Sequence, residues 1–274
     1  MGGKFCAISV FNEKMKKNII RLFFSVLAFA FVSCQKESSQ IDSAVKGELT
    51  LKFDHLVGGK KLQLNTEYKN AANETFTIST VKYYISNVVV TNSEGATFVV
   101  PQNESYFLIE GKEGIVGQAK VNVPEGDYTK VSFVLGVDSL RNEAEIDKLI
   151  GDLDPANGMH WGWNSGFIFF KMEGSSDVST AKDKKYRYHI GGFGKYETVS
   201  INNTKTIAID LTAGGISKVR KDKGSQIHLM VDLLKVFNGN TQLSIAANST
   251  VMLNEFSKTI ADNYKDMFSH HHTH

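Results

Sequence analysis

The sequence predicts an all-β protein: an immunoglobulin-like β-sandwich with short helical inserts and a C-terminal helix. Three observations carry that prediction. Apolar and polar residues alternate with period two in about ten short segments, as half-buried strands require. Only two short segments favour helix, and no strand–helix alternation announces a parallel sheet. Turn-forming residues separate the segments, and no fixed-period repeat is visible.

The elements follow in order. Leu49, Leu51 and Phe53 alternate with polar neighbours; His55 and the turn Gly58-Gly59 come next. Residues 76–91 (FTISTVKYYISNVVVT) are rich in β-branched and aromatic side chains, which predicts a strand pair or one long bent strand. Short strands are expected at Thr97–Val100, Tyr106–Ile109 and Lys120–Val123, the last closed by the turn Pro124-Glu125-Gly126-Asp127. Val131, Phe133, Leu135 and Val137 alternate again, and Ser139–Ile150 has the composition of a short helix. Ile168 and Phe170 flank Phe169, so that strand is expected to be central, with both faces apolar. Tyr186, Tyr188 and Ile190 face away from Arg187 and His189. Ile207, Ile209 and Leu211 mark one further strand and Ile227, Leu229 and Val231 another; Val231–Phe237 can turn helical. Phe256, Ile260, Tyr264 and Phe268 recur every four residues, one face of a helix stopping at Ser269.

The chain has 274 residues, 42% hydrophobic and 22% charged, enough for one large core or two small ones. Of 31 basic and 29 acidic residues, five and one lie in residues 1–33. The remainder therefore carries a net charge of about −2. With no basic stripe and no reader motif, nucleic acid is not an expected partner.

Lys16-Lys17 and Arg21 precede the apolar run Leu22–Val32, the order of a secretory signal. The run is too short to span a bilayer, which takes about 20 residues. Phe31-Val32-Ser33-Cys34 resembles a bacterial lipoprotein box, with Phe31 where leucine is usual. On that reading residues 1–33 are the signal peptide, with Met15 the start and 1–14 an over-extension. Residues 34–46 are lipidated Cys34 and a polar tether, and 47–274 form a single domain. A plain signal peptide cut nearby, or an uncleaved anchor, is the simpler alternative. The expected location is the cell envelope, lipid-anchored at the outer membrane on its periplasmic or surface face. The other cysteine, Cys6, lies upstream of the signal. The mature domain then has no disulfide, thiolate metal site or thiol nucleophile, and any metal falls to histidine, carboxylate or carbonyl.

The stretch Gly151–Gly174 (GDLDPANGMHWGWNSGFIFFKMEG) concentrates the chemistry. It holds both tryptophans, Trp161 and Trp163, beside His160. In an extended loop the two tryptophans share a face and His160 points away. Two aromatics packing over the end of a sandwich account for the pattern as well as a binding site does. His189 shares a strand face with Arg187 ahead of Gly191, Gly192 and Gly194; it is either a ligand or a solvated, carbonyl-bonded histidine. His55 and His228 are read as standing opposite the apolar faces of their strands. The tail His270, His271, His272, Thr273, His274 is a tandem of imidazoles that suits copper or zinc, or else an affinity-tag remnant or disordered end. Asp138, Asp152 and Asp154 offer carboxylates for Ca²⁺, and DLDPANG is like half of an EF-hand loop. Gly158 stands one position late for that loop and no acid closes it; turn and cap chemistry explains the same residues. No G-x-S-x-G, H-E-x-x-H or phosphate loop is present, so an enzyme is not expected.

Several stretches together resemble one family: FDHLVGGKKLQL, VKYYISNVVV, FVLGVDSLRN, the Trp-rich stretch, YRYHIGG and MFSHHHTH. They are similar to the MbnP-like family of periplasmic, copper-associated proteins, in a lipoprotein branch like that of the Bacteroidota, over most of residues 47–274. The resemblance implies a β-sandwich that binds copper through histidines near a Trp-rich loop. It implies a MauG-type dihaem partner that oxidises Trp161 or Trp163. It makes His189 the foremost ligand. His270, His272, His55 and His160 are further candidates by residue type, and His55 matches no position of the family's site. A different class of function stays open: a ligand- or glycan-binding adhesion sandwich without metal, whose paired aromatics stack on sugar or protein.

Overall fold

The computed structural model describes residue 41 and residues 44–162, 166–195 and 198–274, without the side chains of 195 and 198–200. Cys34, the tether up to residue 40 and Trp163 lie outside the described residues. The described residues belong to one compact unit, Ser39–His274.

Two sheets form the sandwich. In the first, β1 (Lys46–Val57) is central. It pairs antiparallel with Gly117–Pro124 on one side and parallel with Ser225–Asp232 on the other. Beyond Ser225–Asp232, at the edge, runs the antiparallel strand Phe268–Thr273. The second sheet is built on Thr80–Asn92, which pairs with Gly126–Leu135 and with Ile168–Ser175. Lys205–Asp210 and Lys185–Gly191 extend it on either flank. We number the strands used below β1 (Lys46–Val57), β2 (Thr80–Asn92), β3 (Gly126–Leu135), β4 (Ile168–Ser175), β5 (Lys185–Gly191), β6 (Ser225–Asp232) and β7 (Phe268–Thr273).

The period-two pattern explains why the sheets meet. Leu49, Leu51 and Phe53 of β1 and Ile227, Leu229 and Val231 of β6 are fully buried. They face Tyr83, Phe133 and Phe170 of the other sheet, also buried. Phe53 sits edge-on to Tyr83 at 6.2 Å and to Phe133 at 6.0 Å, and Phe268 reaches Phe133 at 5.3 Å. Edge-to-face aromatic contacts add about 0.5–1.5 kcal/mol each beyond their burial. The central-strand expectation holds: Ile168, Phe169 and Phe170 are all buried.

Three expectations change. Residues 76–91 are neither paired with each other nor continuous: Thr75–Thr77 joins Glu67–Lys69, while β2 joins the large sheet. Ser139–Ile150 is helical only at Ser139–Asn142 (α1), followed by 3-10 turns. Leu140, Ile146 and Ile150 stay exposed and Leu149 alone of the large apolar side chains is buried, so no continuous apolar stripe holds a longer helix. The closing helix (α2) spans Phe256–Tyr264 and does not reach Phe268. Phe268 begins β7, and the histidine tail is a paired strand instead of a disordered end.

Candidate metal centre

β7 carries the tail histidines into the edge of the first sheet. Phe268 lies opposite Val231, Ser269 opposite Met230 and His270 opposite Leu229; His272 then lies opposite His228. His271 is the extra residue of a β-bulge. A bulge switches which face the following side chains address. Phe268 and His270 therefore share the inward register of Val231 and Leu229. His272 and His274 emerge on the outer face with His228. His274 N–H donates to Gln226 O, and His274 O accepts from Gln226 N, both at 2.9 Å, so the strand stays paired to its last residue.

On that outer face three imidazoles converge. His228 and His272 stack at 4.2 Å between centroids, 19° from parallel. His274 stands nearly perpendicular to both, at 5.4 Å and 4.5 Å. One ring nitrogen from each of the three lies within 4.8 Å of the others. Nitrogens bound to one ion at about 2.0 Å lie within about 4 Å of one another, so the stacked His228 and His272 rings must tilt to aim at a shared ion. Among the described residues this is the one such group of three.

Two of these rings have further neighbours at Nδ1. Asp54 Oδ2 lies 3.8 Å from His228 Nδ1, and His271 Nδ1 lies 2.6 Å from His272 Nδ1. Burial, then repulsion from His272 and Lys52, lowers the pKa of His228 against the pull of Asp54. Burial, then His274 and His271, lowers that of His272. Both rings are held towards the neutral form, the form that offers a lone pair to a metal.

The other sequence candidates lie apart from this group, each with its own partner. His189 Nε2 meets Glu173 Oε1 at 2.5 Å across β4 and β5. Burial lowers its pKa more than Glu173 raises it. His160 Nε2 accepts from Gly166 N–H at 3.2 Å, and its ring stands edge-on to Phe167. His270 Nε2 is 2.9 Å from Thr273 Oγ1 beneath the bulge. His55 is not opposite the apolar face of β1: it continues the Leu49, Leu51, Phe53 parity and is 7% exposed, with Nε2 2.9 Å from Tyr83 OH.

Within the Trp-rich stretch, residues 159–161 pair antiparallel with 166–168, the Trp hairpin. Ile168 N–H donates to Met159 O, and Trp161 N–H donates to Gly166 O. Trp161 is buried, its ring against Gly191 of β5: a Cβ there would lie 2.7 Å from Trp161 Cη2 and 2.3 Å from Phe167 O. That close approach explains the glycine at the end of YRYHIGG.

The three aspartates are separately engaged. Asp138 Oδ2 accepts from Asn87 Nδ2, Gln102 Nε2 and Tyr106 OH. Asp152 Oδ2 accepts from Leu108 N–H, and Asp154 caps the 3-10 turn Pro155–Asn157 through Ala156 N–H. This is turn and cap chemistry, and it gives calcium no support.

Sequence reasoning named His272 as a ligand and placed His274 in the same metal-suited tail, but read His228 as a surface histidine. The missing signal was pairing. HHHTH has strand period at 270, 272 and 274, yet nothing local says that β6 lies beside it or that a bulge after His270 puts His272 on the other face.

The sequence profile of the MbnP family matches residues 46–253. The solved structure of MbnP from Methylosinus trichosporium is similar at a TM-score of 0.52 and 14% identity, over 77% of this chain and 82% of that one. At that identity the likeness is one of fold. No curated protein sequence matches the chain. Because the family profile spans most of the sandwich, from the first residue of β1 to just before α2, the chain belongs to the MbnP family.

Proposed function

We propose that this protein binds copper in the cell envelope through His228, His272 and His274. The convergence of three imidazoles from two paired strands carries the reading. The family resemblance supplies the choice of copper, and imidazole suits it. Lipidation at Cys34 anchors the domain to the outer membrane. A MauG-type dihaem enzyme is the partner the resemblance implies, with Trp161 or Trp163 as its substrate; the resemblance also offers His189 as a copper ligand. The sugar-stacking alternative gains nothing from Trp161, which is 6% exposed.

The test is a calorimetric Cu(II) titration of untagged protein. One equivalent should bind, and His228→Ala and His272→Ala should each weaken it by about tenfold or more. His189→Ala should leave that equivalent unchanged. Loss of binding in His189→Ala alone would move the site to the Trp hairpin.

A further inference from the structure

We propose that the three-imidazole site holds Cu(II) as exchangeable cargo, handed to an anionic chelating acceptor whose donor atom enters a position the chain leaves open. The inference rests on the copper reading and adds how the ion leaves and to what.

The donor set is incomplete by design of the strands. Three histidines converge, and no fourth His, Cys, Asp or Glu among the described residues joins the group. The carboxylate of Asp54 lies 3.8 Å from His228 Nδ1 and is not one of the converging groups. Protein sites that hold metal structurally close all four positions, whereas three protein ligands leave one for an outside group.

The position is also reachable. β7 is the edge strand of its sheet, His274 is exposed, and His228 and His272 are half-buried. An acceptor can therefore form its first bond to the ion before any imidazole leaves. Exchange by that route avoids breaking three bonds to reach a free ion.

Charge selects the acceptor. Lys52 lies opposite His228 in the parallel β1–β6 pair, and its ammonium acts on both His228 and His272. With Cu(II) bound, Lys52 and the ion outweigh the single carboxylate of Asp54. The field then favours an anionic chelate with nitrogen and oxygen donors, the donor types that Cu(II) takes without a change of oxidation state.

EDTA serves as the probe. Protein carrying one equivalent of Cu(II) is mixed with rising EDTA in a stopped-flow instrument, and the visible band of the bound ion is followed. The release rate should rise linearly with EDTA. Lys52→His places a fourth imidazole opposite His228 and should tighten binding while lowering the slope by about tenfold or more. Lys52→Gln, which removes only the charge, should lower the slope by less. If Lys52→His does not fold, Asp54→His offers closure from the neighbouring position. A variant that folds without tightening leaves the wild-type EDTA dependence to decide. A release rate independent of EDTA overturns the inference, as does a closed variant that binds more tightly yet exchanges as fast. Either result leaves copper binding intact; absence of Cu(II) binding in the calorimetric titration removes the copper reading itself.

Discussion

At His228 and His272 a second group stands by the δ-nitrogen, Asp54 for the one and His271 for the other. Such outer partners fix the tautomer and the ring angle, and losing one costs about 10–100-fold in metal affinity. Asp54→Asn keeps the shape and removes the charge. It should weaken Cu(II) by about tenfold, with the thermal midpoint of metal-free protein unchanged. Equal affinity in the two proteins would show that Asp54 does not orient His228. At this scale the sequence was readable in types and poorly readable in partners. The absence of thiolates from the sandwich follows from two cysteines at 6 and 34, and it correctly directs attention to histidine. The parity of His55 with Leu49, Leu51 and Phe53 is also written in the chain, and counting alone puts it inside. That His228 meets His272 is a long-range pairing with no local trace.

Most strands were legible as elements because they bury one face, and a buried face leaves a period of two in the residue types; β4, buried on both faces, shows instead as a continuous apolar run. The inserts were not. Glu143, Ala144, Glu145, Lys148 and Leu149 are good helix formers, but propensity is weak where Leu149 alone is buried and no stripe forms. Phe268 fits the four-residue spacing of α2 because its inward register in β7 happens to follow a 3-10 turn, Lys265–Met267. The Trp hairpin offers a sharp test at this level. Its Trp161 ring occupies the space that any side chain on Gly191 would need. Gly191→Ala must push either the indole or the Phe167 carbonyl away, a strain of about 1–3 kcal/mol. Urea unfolding should show a lower midpoint at unchanged slope, with tryptophan emission shifted to the red. A midpoint equal to that of the parent would mean that the hairpin yields freely and that Trp161 is not wedged against β5.

Among the described residues, the sandwich as a whole places one imidazole in its core. His55 projects from β1 towards Tyr83 of the opposite sheet, with Nδ1 buried and without a hydrogen-bond partner. Burial pushes its pKa from 6.5 down to about 4, despite the nearby charge of Asp54. In the unfolded chain the ring titrates near its ordinary value. Above pH 6.5 both states hold it neutral, and it has no effect on the pH dependence of stability. Between 6.5 and 4 the unfolded state binds the extra proton, so stability falls as the pH falls through that window. From pH 7 to 4.5 the loss assignable to His55 is about 2–3 kcal/mol. His160, His189, His228, His270 and His272 are also held below their usual value by burial, so they add slopes of the same sign. The diagnostic is therefore a difference between two proteins. His55→Gln keeps a polar partner for Tyr83 and cannot titrate. It should be less stable than wild type at pH 7 and lose less on going to pH 4.5, so that the two stability curves converge. Parallel curves would place the acid sensitivity of the sandwich in the outer histidines instead. Convergence would show that a single buried imidazole between the sheets sets much of it, without involving the copper ligands on the opposite face of β6.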